Sequence, residues 1–160
     1  MGLCISLALI LSYVEILLPP LFPSVPGIKM GLANIIIVFL LYRCGMGAAC
    51  VTSILRIVLV SMLFGNFMAF LYSLAGAVLS LLLMALLRRF NFVSEVGVSV
   101  SGAVAHNIGQ ILMAIVLLGT TQIAYYLVVL IAVGTIAGIL IGLCAAALIK
   151  RIPEKFLPLK

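Results

Sequence analysis

The 160 residues carry a net charge of +6 and are 67% hydrophobic but only 8% charged. That balance excludes an ordinary soluble domain, and the length leaves room for one membrane domain rather than two soluble ones. The apolar runs are continuous, not alternating, so they argue for bilayer-crossing helices and against a β-barrel. The basic residues are scattered at the ends of apolar runs, where they orient helices, and no nucleic-acid partner is expected.

Six spans are predicted, in one all-α integral membrane bundle covering residues 1–160. The first covers about 2–18 and stops at "PPLFPSVPG", where four prolines from Pro19 to Pro26 cannot continue a helix. The loop 19–29 is stiff at its prolines, while Gly27 and the nearby Gly31 permit unusual backbone angles. The second span, about 30–43, is short and is expected to begin deep or to tilt. The third covers about 47–64 and closes at "FGN"; the fourth covers about 67–88 and ends at Arg88-Arg89. The fifth covers about 97–118 and closes at "GTTQ"; the sixth covers about 123–149 and ends at Lys150-Arg151.

In this layout Arg43, Arg88, Arg89, Lys150, Arg151, Lys155 and Lys160 share one side, and Lys29 is alone on the other. The basic side is expected to face the cytoplasm, which places both termini inside the cell (inner) membrane and loop 19–29 outside. The start "MGLCIS" matches the myristoylation pattern, but a spanning helix follows at once, so a lipid would add little. The abrupt apolar start is compatible with a short basic tail preceding it. Cys4, Cys44, Cys50 and Cys144 contain no C-x-x-C pair, and His106 is the single histidine. No metal site and no cofactor are expected. Cysteines in the cytoplasmic half are expected to stay reduced.

Small residues recur at four-residue spacing, as Gly134, Gly138, Gly142 and Ala146 and as Gly97, Ser101, Ala105 and Gly109. Such stripes let helices approach closely inside a bundle.

The polar residues inside the spans are the candidate site. Glu15, Arg56 and His106 lie away from the predicted helix ends, at depths of roughly 14–20 Å from the cytoplasmic side, so one layer near the midplane can hold all three. A charge at the bilayer centre is costly, so Arg56 is expected to face the interior, paired with Glu15 or with an anionic ligand. His106, Asn107 and Gln110 are neighbours within about one helical turn and require partners or a cavity. Asn34 lies one turn inside the proline loop. Asn66 is either a cap for the fourth span or a ligand contact. Lys29 would attract negative charge from outside.

The motifs "SYVEILLP", "PGIKMGLANI", "TSILRIVLVSMLFGN", "FLYSLAGAVLS" and "GAVAHNIGQ" together resemble the Gx transporter family, whose members are often labelled heptaprenyl diphosphate synthase component I. The resemblance covers nearly the whole chain. The six-span layout also resembles the S components of energy-coupling-factor vitamin transporters, in which the loop between the first two spans closes a pocket on the outer side. That resemblance implies a small-molecule transport or substrate-binding subunit, with a transmembrane coupling subunit and ATPases as partners. It departs at span one: in place of an Ala-x-x-x-Ala docking surface there are only the pairs Gly2/Ser6 and Cys4/Ala8.

The synthase label meets a chemical obstacle. Trans-prenyltransferases hold Mg²⁺–diphosphate on aspartate-rich motifs, because hard cations need oxygen ligands. This chain has no aspartate, and its acids, Glu15, Glu95 and Glu154, are far apart. Prenyl synthase catalysis by this chain alone is not expected. No Walker motif is present, so an ATP-driven step needs a partner. The expected function is uptake of a small anionic or amphipathic compound from the outer side. The alternative is a noncatalytic membrane subunit of isoprenoid or quinone metabolism, or of a membrane redox system.

Overall fold

The computed structural model describes residues 2–17, 31–90 and 93–152. Lys29 and the whole of the loop predicted over 19–29 lie outside the described residues. The elements are α1 (Gly2–Leu17), α2 (Asn34–Arg43), α3 (Met46–Phe64), α4 (Phe67–Leu87), α5 (Glu95–Leu118), a 3-10 helix (Thr121–Tyr125) and α6 (Tyr126–Arg151). No strand occurs among the described residues.

The chain is a membrane protein turned inside out relative to a soluble one. Leu3, Val116 and Val128 are about three-quarters exposed, whereas Glu15, Arg56 and His106 are buried. Four helices, α3 to α6, are long and apolar enough to cross a membrane. Of the six expected spans, the other two are shorter apolar helices among the described residues: α1 has 16 residues and α2 has 10, against the about 20 that a bilayer requires.

The physical reason for the short α2 lies at its start. Gly31 has φ +83°, in the left-handed region, and blocks a helix from continuing back through it. Leu32 and Ala33 instead form a tight turn, with the amides of Asn34, Ile35 and Ile36 donating to the carbonyls of Gly31, Leu32 and Ala33. From Ile36 to Leu41 every residue of α2 is buried, so α2 is a central strut enclosed by α1, α3 and α6. Its apolar surround includes Ala8, Leu81, Met84, Val98 and Ala145.

Other boundaries shift for local reasons. The α5 helix begins at Glu95 rather than near 97, because the Ser94 hydroxyl accepts from the Gly97 amide at 3.2 Å and caps it. It ends at Gly119, which is left-handed at φ +64°. The predicted start of span six, near 123, falls within the 3-10 helix, and regular α-helix begins at Tyr126.

Glycines set how closely α4, α5 and α6 approach. A Cβ on Gly138 would lie 2.7 Å from Val100 Cα, and one on Gly142 would lie 2.8 Å from Val96 Cα. The stripe on α6 therefore packs on α5 inside the bundle. The stripe on α5 does not answer it. The face of α5 toward α6 carries Val96, Val100, Ala103 and Asn107, while Gly109 turns toward α4, where a Cβ would meet the Ala75 carbonyl at 2.7 Å.

Arg43, Arg88, Lys150 and Arg151 mark one end of the bundle, called here the basic end. There Arg43 donates to the Ile149 carbonyl, and Arg88 donates to the Tyr42 carbonyl at 3.2 Å with its guanidinium 5.4 Å from the Tyr42 ring centre. Both contacts fasten the end of α2 to its neighbours. Toward the opposite end a second apolar cluster joins Tyr72, Ile111, Ala114, Ile123 and Leu130. A polar layer lies between the two clusters.

Candidate functional site

Four helices and one turn bring the polar layer to a single small cavity. From α1 come Ser12 and Glu15, three residues apart and so on one face. The turn before α2 contributes Gly31. From α3 come Arg56 and Ser61, with Ile57 and Val60 as apolar walls, and Ser73 and His106 close it from α4 and α5. Counted along the helices from the basic end, Arg56 lies at about 15 Å, His106 at about 16 Å, and Glu15 and Ser73 at about 20 Å.

Each polar group is held by a specific contact. The Glu15 side chain accepts a hydrogen bond from the Gly31 amide through Oε1. That bond satisfies backbone left open where the helix cannot run, a necessity at membrane depth. The Ser12 hydroxyl donates to the Ala8 carbonyl at 2.9 Å and accepts from Arg56 Nη1 at 3.3 Å. Glu15 also acts electrostatically on the Arg56 guanidinium. Opposite charges in one buried layer offset part of the desolvation cost of each. Arg56 is 7% exposed, and its Nε finds no hydrogen-bond acceptor among the described residues. The cavity itself has about 20 Å³, room for about one water molecule.

His106 owes its position to Gly76. A Cβ there would lie 2.8 Å from the His106 carbonyl oxygen and 2.9 Å from ring atoms Cε1 and Nδ1. The missing side chain on α4 is the space into which the imidazole of α5 fits.

Of the residues singled out in the sequence, Glu15, Arg56 and His106 converge on the cavity. Asn107 points elsewhere: its Nδ2 donates to the Leu130 carbonyl at 2.8 Å and ties α5 to α6. Gln110 is buried one turn beyond His106, toward the opposite end, and is not among the cavity's lining residues. Asn34 is half-buried beside Gly31, where its Nδ2 would be 3.0 Å from a Cβ on that glycine. Asn66 is exposed and caps α4, accepting from the Ala69 amide at 2.8 Å. Ser12, Ser61, Ser73 and the Gly31 amide are the cavity groups that the sequence reading did not single out. Ser12 carried a usable signal, its three-residue offset from Glu15. Serines in apolar helices commonly bond their own backbone, as Ser6 does with the Gly2 carbonyl, so composition does not single out the others.

Among the described residues no group of three or more His, Cys, Asp and Glu side chains comes together as a metal site. The arrangement offers one guanidinium, one carboxylate, one imidazole and several hydroxyls, a set suited to hydrogen-bonding a polar solute.

No curated protein and no solved structure matches the chain. A family model does, over residues 4–148, and the chain belongs to the heptaprenyl diphosphate synthase component I family.

Proposed function

We propose that this protein is a substrate-binding or transport subunit of the cell membrane that takes up a small anionic or amphipathic compound. One observation carries the reading: Glu15, Arg56 and His106 from three helices meet in a buried cavity where Arg56 Nε has no acceptor among the described residues. A buried guanidinium with an open donor is suited to an oxyanion. The distribution of basic residues supports a cytoplasmic basic end with both termini inside, and the six apolar helices support an even number of crossings. Uptake then begins at the opposite, outer end.

The cavity holds about one water, so a solute enters only when its walls part. In this reading loop 19–29 is the lid on the outer side and Lys29 draws anions toward it. Asn34, Asn107 and Gln110 join the ligand only if the helices shift, since none lines the cavity as it stands, whereas Asn66 lines a neighbouring cleft between α3 and α4. The layout resembles the S components of energy-coupling-factor transporters, and the reading extends to a transmembrane coupling subunit and ATPases as partners. On α1, Gly2 and Ser6 lie on the exposed face, whereas Ala8 is buried in the core. A docking partner would therefore meet Gly2 and Ser6.

Native mass spectrometry of gently purified protein tests the reading. A retained small anion that is absent from Arg56→Gln supports it; identical ligand-free spectra for both, together with no uptake by cells expressing the chain, sink it.

The family description supports a second reading, a noncatalytic membrane subunit that serves a soluble prenyl synthase at the bilayer. The absence of aspartate from the sequence supports the noncatalytic part. Affinity purification separates the two: ATPase subunits in the eluate favour transport, and a prenyl synthase favours the scaffold.

A further inference from the structure

A second space lies beside the polar cavity. The ends of α3 and α4 furthest from the basic end flank a mainly apolar cleft of about 450 Å³, lined by Val58, Met62, Gly65, Phe67 and Phe70, with Ser61 and Asn66 as its polar residues. That volume lies in the range of small-molecule sites. Ser61 belongs to both spaces. On α3, Val58 and Met62 face the cleft, with Gly65 just past the helix end, Arg56, Ile57 and Val60 form the stripe facing the cavity, and Ser61 sits on the border. On α4, Phe70 lines the cleft and Ser73, three residues on, lines the cavity. The seam between α3 and α4 is thus polar inside and apolar outside. A larger cleft of about 520 Å³ between α4 and α5, near Leu74 and Val116, borders no part of the polar cavity.

The two spaces are stacked in an order opposite to that of a membrane lipid. Arg56 is about 15 Å from the basic end, whereas Met62 is at about 24 Å and Phe67 at about 30 Å. A phospholipid keeps its head at the surface and its chains toward the midplane. Here the group that seeks an acceptor is deep and the apolar cleft is near the surface. A resident phospholipid does not match this polarity.

We propose that the ligand is an amphipathic organic anion bound head-first: its oxyanion reaches Arg56 past Ser61, and its apolar body stays in the cleft between α3 and α4. This rests on the substrate-binding reading above and adds the ligand's shape, orientation and route.

Octyl phosphate with a diazirine on its terminal carbon tests orientation directly. The full chain is placed in phosphatidylcholine nanodiscs, irradiated with the probe, and adducts are mapped by mass spectrometry. Head-first binding puts adducts on Met62, Phe67 and Phe70, several-fold above those on the exposed Val78, about 14 Å from the basic end. A lipid-like orientation gives the reverse. Arg56→Gln and Ser61→Phe should each remove the excess at the cleft, and Ser61→Phe keeps the test open if Arg56→Gln does not fold. In parallel, inorganic phosphate should raise the unfolding temperature of the unmodified chain but not of Arg56→Gln. Adducts confined to Val78 overturn the head-first proposal; if phosphate still stabilises through Arg56, the substrate-binding reading survives. Loss of both signals overturns both.

Discussion

The Glu15 carboxylate accepts the backbone amide of Gly31, sixteen residues later, at the point where the chain turns into α2. One acid thus serves two tasks. It satisfies a peptide group that no helix can satisfy at Gly31, and it places a negative charge in the layer of Arg56. Removing it should disturb the fold and the site together.

That dual role makes charge and hydrogen bonding separable. Glu15→Gln keeps an acceptor for Gly31 but leaves Arg56 without its countercharge, and it should lower stability. Adding Arg56→Gln should recover most of that loss, because neither charge remains alone. It should not recover binding of inorganic phosphate. Unfolding in detergent and phosphate titration of the double variant check both parts. Full phosphate binding by the double variant would assign the pair to structure alone.

Gly76→Ala should be among the more damaging single-methyl changes in the bundle. The added carbon meets the His106 carbonyl and ring at under 3 Å; the carbonyl is backbone of a packed helix and the ring is itself buried, so neither yields cheaply. A loss of about 1–3 kcal/mol is expected. Gly47→Ala meets nothing within 4 Å and serves as the reference. Equal thermal stability for the two variants would count against the close α4–α5 approach.

Asn107→Ala should weaken the α5–α6 contact without touching the cavity. Interhelical hydrogen bonds in membranes contribute about 0.6 kcal/mol on average and about 1.7 at most. The stability loss should fall in that range, and phosphate affinity should remain that of the parent chain. A large loss of affinity with unchanged stability would move Asn107 into the binding site.

Orientation is checked in intact cells on a background with Cys4, Cys44, Cys50 and Cys144 replaced. An impermeant thiol reagent should label Ser24→Cys and spare Lys155→Cys. The opposite pattern would reverse the bundle in the membrane and remove loop 19–29 as an outer lid.

The helices were readable from the sequence because their causes are local. Continuous apolar runs, prolines from Pro19 to Pro26, and glycine and arginine at the ends mark where bilayer-length helices can stand. The shared depth of Glu15, Arg56 and His106 was readable too, since helical rise converts residue number into height. Rotation was not. Neighbours on a helix point about 100° apart, and only packing against α4 and α6 fixes that His106 faces the cavity while Asn107 bonds to the Leu130 carbonyl. The same holds for the glycines: their spacing announced a close contact, but the tertiary structure chose Val96 and Val100 as the surface that the α6 stripe meets. The length of α2 was decided in the same way. The sequence determined that the segment is apolar, and a carboxylate on another helix, satisfying the amide of Gly31, determined where its regular helix could begin.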